Sequence, residues 1–142
     1  KPFLEGSRGL FFNLSHSGDY VCCALGDGPV GVDIQKKISG KEKIAERFFT
    51  PGERQMLDAC SGQEKETLFF RMWSVKESYL KLTGAGLSGG LADFEICWPE
   101  RSVARRAAKE ASAWFAESED VEGYSLCVCF RDPAQNIFWK NF

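Results

Sequence analysis

A chain of 142 residues with 44% hydrophobic and 13% aromatic content can bury one ordinary core, and its length predicts a single domain over residues 1–142. A formal net charge of −2 excludes a protein that wraps nucleic acid, because such binding needs many phosphates neutralised by Lys and Arg. The sequence has no run of about 18 apolar residues and no basic-then-apolar leader, so no membrane-spanning segment is expected.

Three short stretches rich in β-formers come first: "LFFNLS" (10–15), "YVCCAL" (20–25) and "PVGVDIQ" (29–35), separated by "HSGD" and "GDG" turns. They predict an antiparallel three-strand meander. In the third strand the two-residue period sends Val30, Val32 and Ile34 to one face, taken as the core face, and Gly31, Asp33 and Gln35 to the other. The basic connection "KKISGKEK" (36–43) follows, then a short helix near 44–48. "TPGE" (50–53) combines a cap residue, Pro at the first helical position and Glu three residues on, which starts a helix ending near 60–62.

A longer helix is expected over about 64–82, stopped at "TGAGLSGG", where Gly84 and Gly86 supply the left-handed conformation that ends helices. "ADFEICW" (92–98), "SAWFAE" (112–117) and "YSLCVCF" (124–130) read as a second set of strands, and "QNIFWKN" as a further edge strand. Of six cysteines none forms a CxxC pair, and the single His, His16, leaves no Cys/His set with zinc-ligand spacing. They are expected to be reduced, mostly buried thiols, which favours the cytoplasm.

With Phe69 at 0° and 100° per residue, Leu68, Phe69, Met72, Trp73, Val75, Tyr79, Leu80 and Leu82 form the apolar face of the long helix. Glu77 falls at the edge of that face, Lys81 one turn further on beside it, and Lys76 inside the apolar arc. A lysine so placed must snorkel outward or meet an anion. By itself the motif also reads as a surface Glu77–Lys81 pair worth about 0.3 to 0.5 kcal/mol. Asp33 shifts the balance, because a carboxylate in an apolar strand and another at a buried helix edge are both costly unless partnered. Two carboxylates with lysines nearby suit a hard divalent cation shared with substrate phosphates, as Mg²⁺ is usually held. No P-loop or strand-GxGxxG-helix unit is present.

Three blocks in order, "FNLSHSG" (12–18), "GVDIQ" (31–35) and "WSVKESYLKLTGAGL" (73–87), with "ERFFTPGE" between the last two, resemble the 4′-phosphopantetheinyl transferases of the larger, surfactin-synthetase-activating type over about residues 1–90. The resemblance implies an α+β fold, an antiparallel sheet packed on helices, forming one half of a pseudo-two-fold molecule with CoA in the cleft between halves. This chain looks like the C-terminal half plus its approach, with the N-terminal half absent.

Residue by residue, the resemblance makes Asp33 and Glu77 the Mg²⁺ ligands and puts Gln35 at the third ligand position, where members often carry Glu. It makes Ser15 and His16 contacts to CoA phosphates, Lys76 and Lys81 contacts to the pyrophosphate and 3′-phosphate region, and Lys1 another phosphate contact. The implied reaction moves 4′-phosphopantetheine from CoA to a serine of an apo acyl or peptidyl carrier protein, with Glu77 taking the serine proton and Lys81 balancing pyrophosphate charge. The alternative is a catalytically incompetent half that binds carrier protein or pairs with a partner chain, including a second copy of itself. The lysines of the 36–43 loop are then where an acidic carrier protein would be steered.

Overall fold

The computed structural model describes residues 9–86, 90–108 and 110–142. In chain order these form β1 (Phe11–Ser17), β2 (Tyr20–Gly26), β3 (Val30–Lys36), a 3-10 turn (Glu42–Ile44), α1 (Ala45–Phe48), α2 (Pro51–Asp58) and α3 (Gly62–Thr83). A second 3-10 turn (Leu91–Asp93), β4 (Phe94–Cys97), β5 (Ser102–Arg105), β6 (Ala111–Ser118) and β7 (Tyr124–Phe130) complete it. The architecture is α+β, a five-stranded antiparallel sheet in the order β3-β7-β6-β5-β4 with α3 across one face.

Local chemistry accounts for the helices. Thr50 caps α2 in a complete capping box: its hydroxyl accepts from the Glu53 N–H, the Glu53 carboxylate accepts from the Thr50 N–H, and Pro51 opens the helix. The helix α3 begins two residues earlier than the apolar pattern suggests and ends at Gly84, whose φ of 73° only glycine adopts freely.

The expected three-strand meander does not form. β1 and β2 make a separate two-stranded hairpin, and β3 pairs with β7 in full register from Val30↔Phe130 to Lys36↔Tyr124. The reason is visible at the other edge of β3, where side chains replace a backbone ladder. The oxygens of Asn13, Ser15 and Ser17, on alternate residues of β1, accept the N–H groups of Val32 (2.8 Å), Ile34 (3.2 Å) and Lys36 (2.9 Å). Thus β1, not β2, lies along β3.

Both faces of β3 are covered, so the face carrying Asp33 is not turned away from the core. Val30, Val32 and Ile34 pack with Tyr124, Leu126, Val128 and Phe130 on one side of the sheet. On the other side, α3 and the remaining core residues meet Cys127, Cys129, Phe115 and Val103. Gly31 lets α3 come close: a Cβ there would stand 2.1 Å from the Ser78 carbonyl oxygen and 2.4 Å from the Leu82 nitrogen.

Three further expectations change. The β5 strand was not anticipated, and the expected edge strand over residues 135–141 does not form. All six cysteines are free, as expected, but only Cys127 and Cys129 are buried; Cys22, Cys60 and Cys97 are half-buried and Cys23 is exposed. Among the described residues no helix is long and apolar enough to cross a membrane.

Candidate functional site

Three elements converge beside Gly31. The alternation of β3 turns Asp33 and Gln35 toward α3, the 100° step of α3 turns Glu77 and Lys81 toward β3, and the inner face of β1 supplies Ser15. Lys81 Nζ donates to Asp33 Oδ1 (2.8 Å), Ser15 Oγ (2.9 Å) and the Val32 carbonyl (3.0 Å). Asp33 Oδ1 also accepts from Ser15 Oγ (3.2 Å), and Oδ2 accepts from Gln35 Nε2 (2.9 Å). The side chain of Asp33 is 2% exposed, whereas that of Lys81 keeps 29%.

Burial pushes the Asp33 carboxyl above its ordinary value, and that effect outweighs the Lys81 cation and the hydrogen bonds, which act to lower it. Glu77 is half-buried and also raised, first by desolvation and then by the charge of Asp33, with Lys81 offsetting part of this. Among the described residues Glu77 has no hydrogen-bond or ion-pair partner, so the surface Glu77–Lys81 pair is not formed; Lys81 is drawn to Asp33 instead.

His16 and Lys76 separate from this cluster. His16 follows Ser15 on β1, and a strand's period of two turns it to the outer, exposed face of the hairpin, opposite Val21. Lys76 is fully buried, its Nζ 2.8 Å from Glu53 Oε2 and donating to the carbonyls of Leu91 (2.6 Å) and Phe94 (3.0 Å). The anion that its place in the apolar arc required is supplied in this structure by Glu53. Lys1 lies outside the described residues.

Two neighbours escaped the sequence reading. Cys22 pairs with Ser15 across the hairpin, and burial raises its thiol to about 11. Glu53 was legible only as a capping residue, although it also receives Lys76. A cavity of about 430 Å³ along the N-terminal half of α3 is lined by Thr67, Arg71, Glu117 and Tyr124 among others, and by none of the cluster.

No group of three or more His, Cys, Asp or Glu residues among the described residues is arranged to hold a metal. Beside Asp33 stands an amide, Gln35, whose Nε2 donates to the Asp33 carboxylate. The side chains of Asp33, Glu77, Gln35 and Ser15 nonetheless offer oxygens and two carboxylates, and among the described residues Glu77 has no partner, which fits a hard divalent cation.

This geometry sits inside a recognisable sequence frame. The model of the 4′-phosphopantetheinyl transferase superfamily matches residues 29–129, and the chain belongs to that family. It is 39% identical over 136 residues to the 4′-phosphopantetheinyl transferase psf-1 of Bacillus pumilus, covering 94% of this chain and 58% of the relative. It is 34% identical over 135 residues to the 4′-phosphopantetheinyl transferase Sfp of Bacillus subtilis strain 168, covering 94% and 60%. The chain thus spans about three fifths of the length of these curated relatives.

The fold is shared with solved holo-(acyl-carrier-protein) synthases. The Bacillus anthracis protein, solved in complex with CoA (3′,5′-ADP), matches with a TM-score of 0.56 at 18% identity over 71% of this chain and 92% of that chain. The Thermotoga maritima protein matches with a TM-score of 0.56 at 20% identity over 71% and 61%.

Proposed function

We propose that this chain takes part in transferring 4′-phosphopantetheine from CoA to a serine hydroxyl of an apo acyl or peptidyl carrier protein, releasing 3′,5′-ADP. The observation that carries the reading is the convergence of Asp33, Lys81 and Ser15 from β3, α3 and β1. In a member of this superfamily it builds a buried anion and a partly exposed cation into one wall.

In this reading Asp33, Glu77 and the amide oxygen of Gln35 hold Mg²⁺, which when bound neutralises charge on the pyrophosphate oxygens. Lys81 keeps enough exposure to pass from Asp33 to a phosphate, and Ser15 offers its hydroxyl beside it. Lys1 and His16 are the further phosphate contacts, with His16 acting from the outer face of the hairpin. Lys76 is left out, since all three of its N–H donors are spent inside the chain. The serine oxygen attacks the β-phosphorus, the bond from that phosphorus to the bridging oxygen breaks, and 3′,5′-ADP departs with it. Glu77, at the edge of this site, takes the serine proton. Lys36, Lys41 and Lys43, exposed before α1, steer an acidic carrier protein. The free cysteines support a reducing, cytoplasmic setting.

A second reading, a half that binds carrier protein or a partner chain without transfer, is favoured by the outer face of the hairpin. There Leu14, Val21 and Leu25 are 48%, 75% and 64% exposed. Incubation with CoA, Mg²⁺ and a purified apo carrier protein separates the two. A mass gain of phosphopantetheine on the carrier supports transfer. Its absence, with a full-length relative active in parallel and a carrier complex seen by light scattering, supports the second reading.

A further inference from the structure

We propose that Lys76 and Glu53 are positioning residues that set the rotation of α3 and thereby aim Glu77 at Asp33; this rests on the reading of Asp33 and Glu77 as the divalent-cation site. The pair is fully inside the protein, with side-chain exposures of 0% for Lys76 and 2% for Glu53. As a stabilising device it is a poor choice, because well-packed apolar residues in place of a buried ion pair are often neutral or better. What an ion pair adds over a methyl group is direction.

That direction is over-determined here. The ammonium of Lys76 has three N–H donors and three oxygen acceptors: Glu53 Oε2, the Leu91 carbonyl and the Phe94 carbonyl. It also lies 4.6 Å from the centroid of the Phe94 ring. Glu53 is held in turn, since its Oε2 accepts from the Thr50 N–H at 2.9 Å and its Oε1 from the Ile96 N–H at 3.1 Å. One carboxylate thus joins the cap of α2, the edge strand β4 and the middle of α3.

Lys76 and Glu77 are consecutive, 100° apart on the helix, so fixing the azimuth of one fixes the other. The opposite flank of α3 is clamped by Lys81 on Asp33 and by the close approach at Gly31. Glu77, a carboxylate with no hydrogen-bond or ion-pair partner among the described residues, is the group most dependent on such a clamp.

The test compares wild type, Lys76→Met, Glu53→Gln and the double variant Lys76→Met/Glu53→Leu for thermal midpoint, Mn²⁺ affinity by electron paramagnetic resonance, and transfer kinetics. Lys76→Met alone, which strands a buried carboxylate, is expected to lower the midpoint, and the double variant to recover most of it. The double variant should still bind Mn²⁺ about tenfold more weakly, with a matching fall in kcat and less than about a twofold change in KM for CoA. Recovered stability with wild-type Mn²⁺ affinity would show a purely structural pair and overturn the proposal. So would a rise in KM for CoA with unchanged Mn²⁺ affinity, the mark of a direct phosphate contact.

Should the double variant fail to fold, Glu53→Gln, which keeps the shape and removes the charge, must weaken Mn²⁺ in the same direction, and no change overturns the proposal. Wild type that binds Mn²⁺, with binding lost in Asp33→Asn, but transfers nothing overturns the transferase reading alone. Wild type without Mn²⁺ binding overturns the positioning role as well.

Discussion

Lys81 Nζ lies 2.8 Å from Asp33 Oδ1, joining the C-terminal half of α3 to the strand that carries the buried carboxylate. In the proposed site a divalent cation would draw on the same carboxylate, so Lys81 and the cation would compete for Asp33, and a phosphate able to draw Lys81 away would favour the cation. Lys81→Met should therefore reduce transfer by about 10²- to 10³-fold and weaken CoA, as loss of a charge-stabilising donor does. Mn²⁺ affinity measured without CoA should hold or rise. Titration calorimetry of each ligand separately reads this; a parallel loss of both affinities would mean that Lys81 holds the cluster together and does not compete.

Glu77 and Asp33 lead to a pH prediction whose sign follows from their raised values. The folded state holds these protons more tightly than the unfolded chain. Their contribution to stability is therefore full below the usual carboxylate value of 4.5 for Glu77 and is lost as pH rises through the shifted value. Glu77→Gln should accordingly melt higher than wild type at pH 7 without metal, with the difference closing toward pH 4, which is below the ordinary value. Added Mg²⁺ should raise the melting temperature of wild type and leave the variant nearly unmoved. A wild-type-to-variant gap that stays constant with pH would place the effect in packing and not in the charge.

Gly31 sets the distance between β3 and α3. A methyl group 2.1 Å from the Ser78 carbonyl must push the helix away or strain it, and Gly31→Ala should cost about 1–3 kcal/mol or more. Gly28, with nothing within 4 Å of its added Cβ, is the control, and its alanine variant should stay within about 0.5 kcal/mol of wild type. Urea unfolding midpoints decide it. Because Asp33 lies two residues beyond Gly31 and Glu77 faces it from the helix, metal affinity should fall in Gly31→Ala and not in Gly28→Ala.

What the sequence made legible follows from the range of the signals involved. Local ones carried well: the capping box at Thr50, the stop at Gly84, the place of Lys76 inside the apolar arc, and the shared face of Cys127 and Cys129 on β7. The misplaced strand pairing failed because period-two alternation says which face a residue takes, never which strand lies alongside. Nothing local announces that Asn13, Ser15 and Ser17 will serve as acceptors for β3 while β7, almost 100 residues later in the chain, takes the other edge. The site divided in the same way. Asp33, Lys81 and Ser15 meet because three elements present the expected faces, whereas His16 leaves the cluster by simple alternation from Ser15. Lys76 leaves it because Glu53, distant in sequence, satisfies its charge.

The side-chain ladder between β1 and β3 makes a graded prediction of its own. Asn13→Ala removes the side-chain acceptor of the buried Val32 N–H, and stranding a buried donor costs about 1–3 kcal/mol. Ser17→Ala removes the bond to Lys36 at the exposed end, where water replaces it, and should cost within about 0.5 kcal/mol. Amide hydrogen exchange at Val32 should accelerate in Asn13→Ala and stay protected in Ser17→Ala. The effect should reach the site as well: Ser15 is the next rung, and its hydroxyl accepts from Lys81 at 2.9 Å. A loosened β1 should weaken CoA binding in Asn13→Ala while Asp33, fixed by the β3–β7 pairing, keeps its Mn²⁺ affinity. If Val32 exchange were unchanged in Asn13→Ala, β1 would be held to β3 by packing alone and the ladder would have no part in placing Ser15.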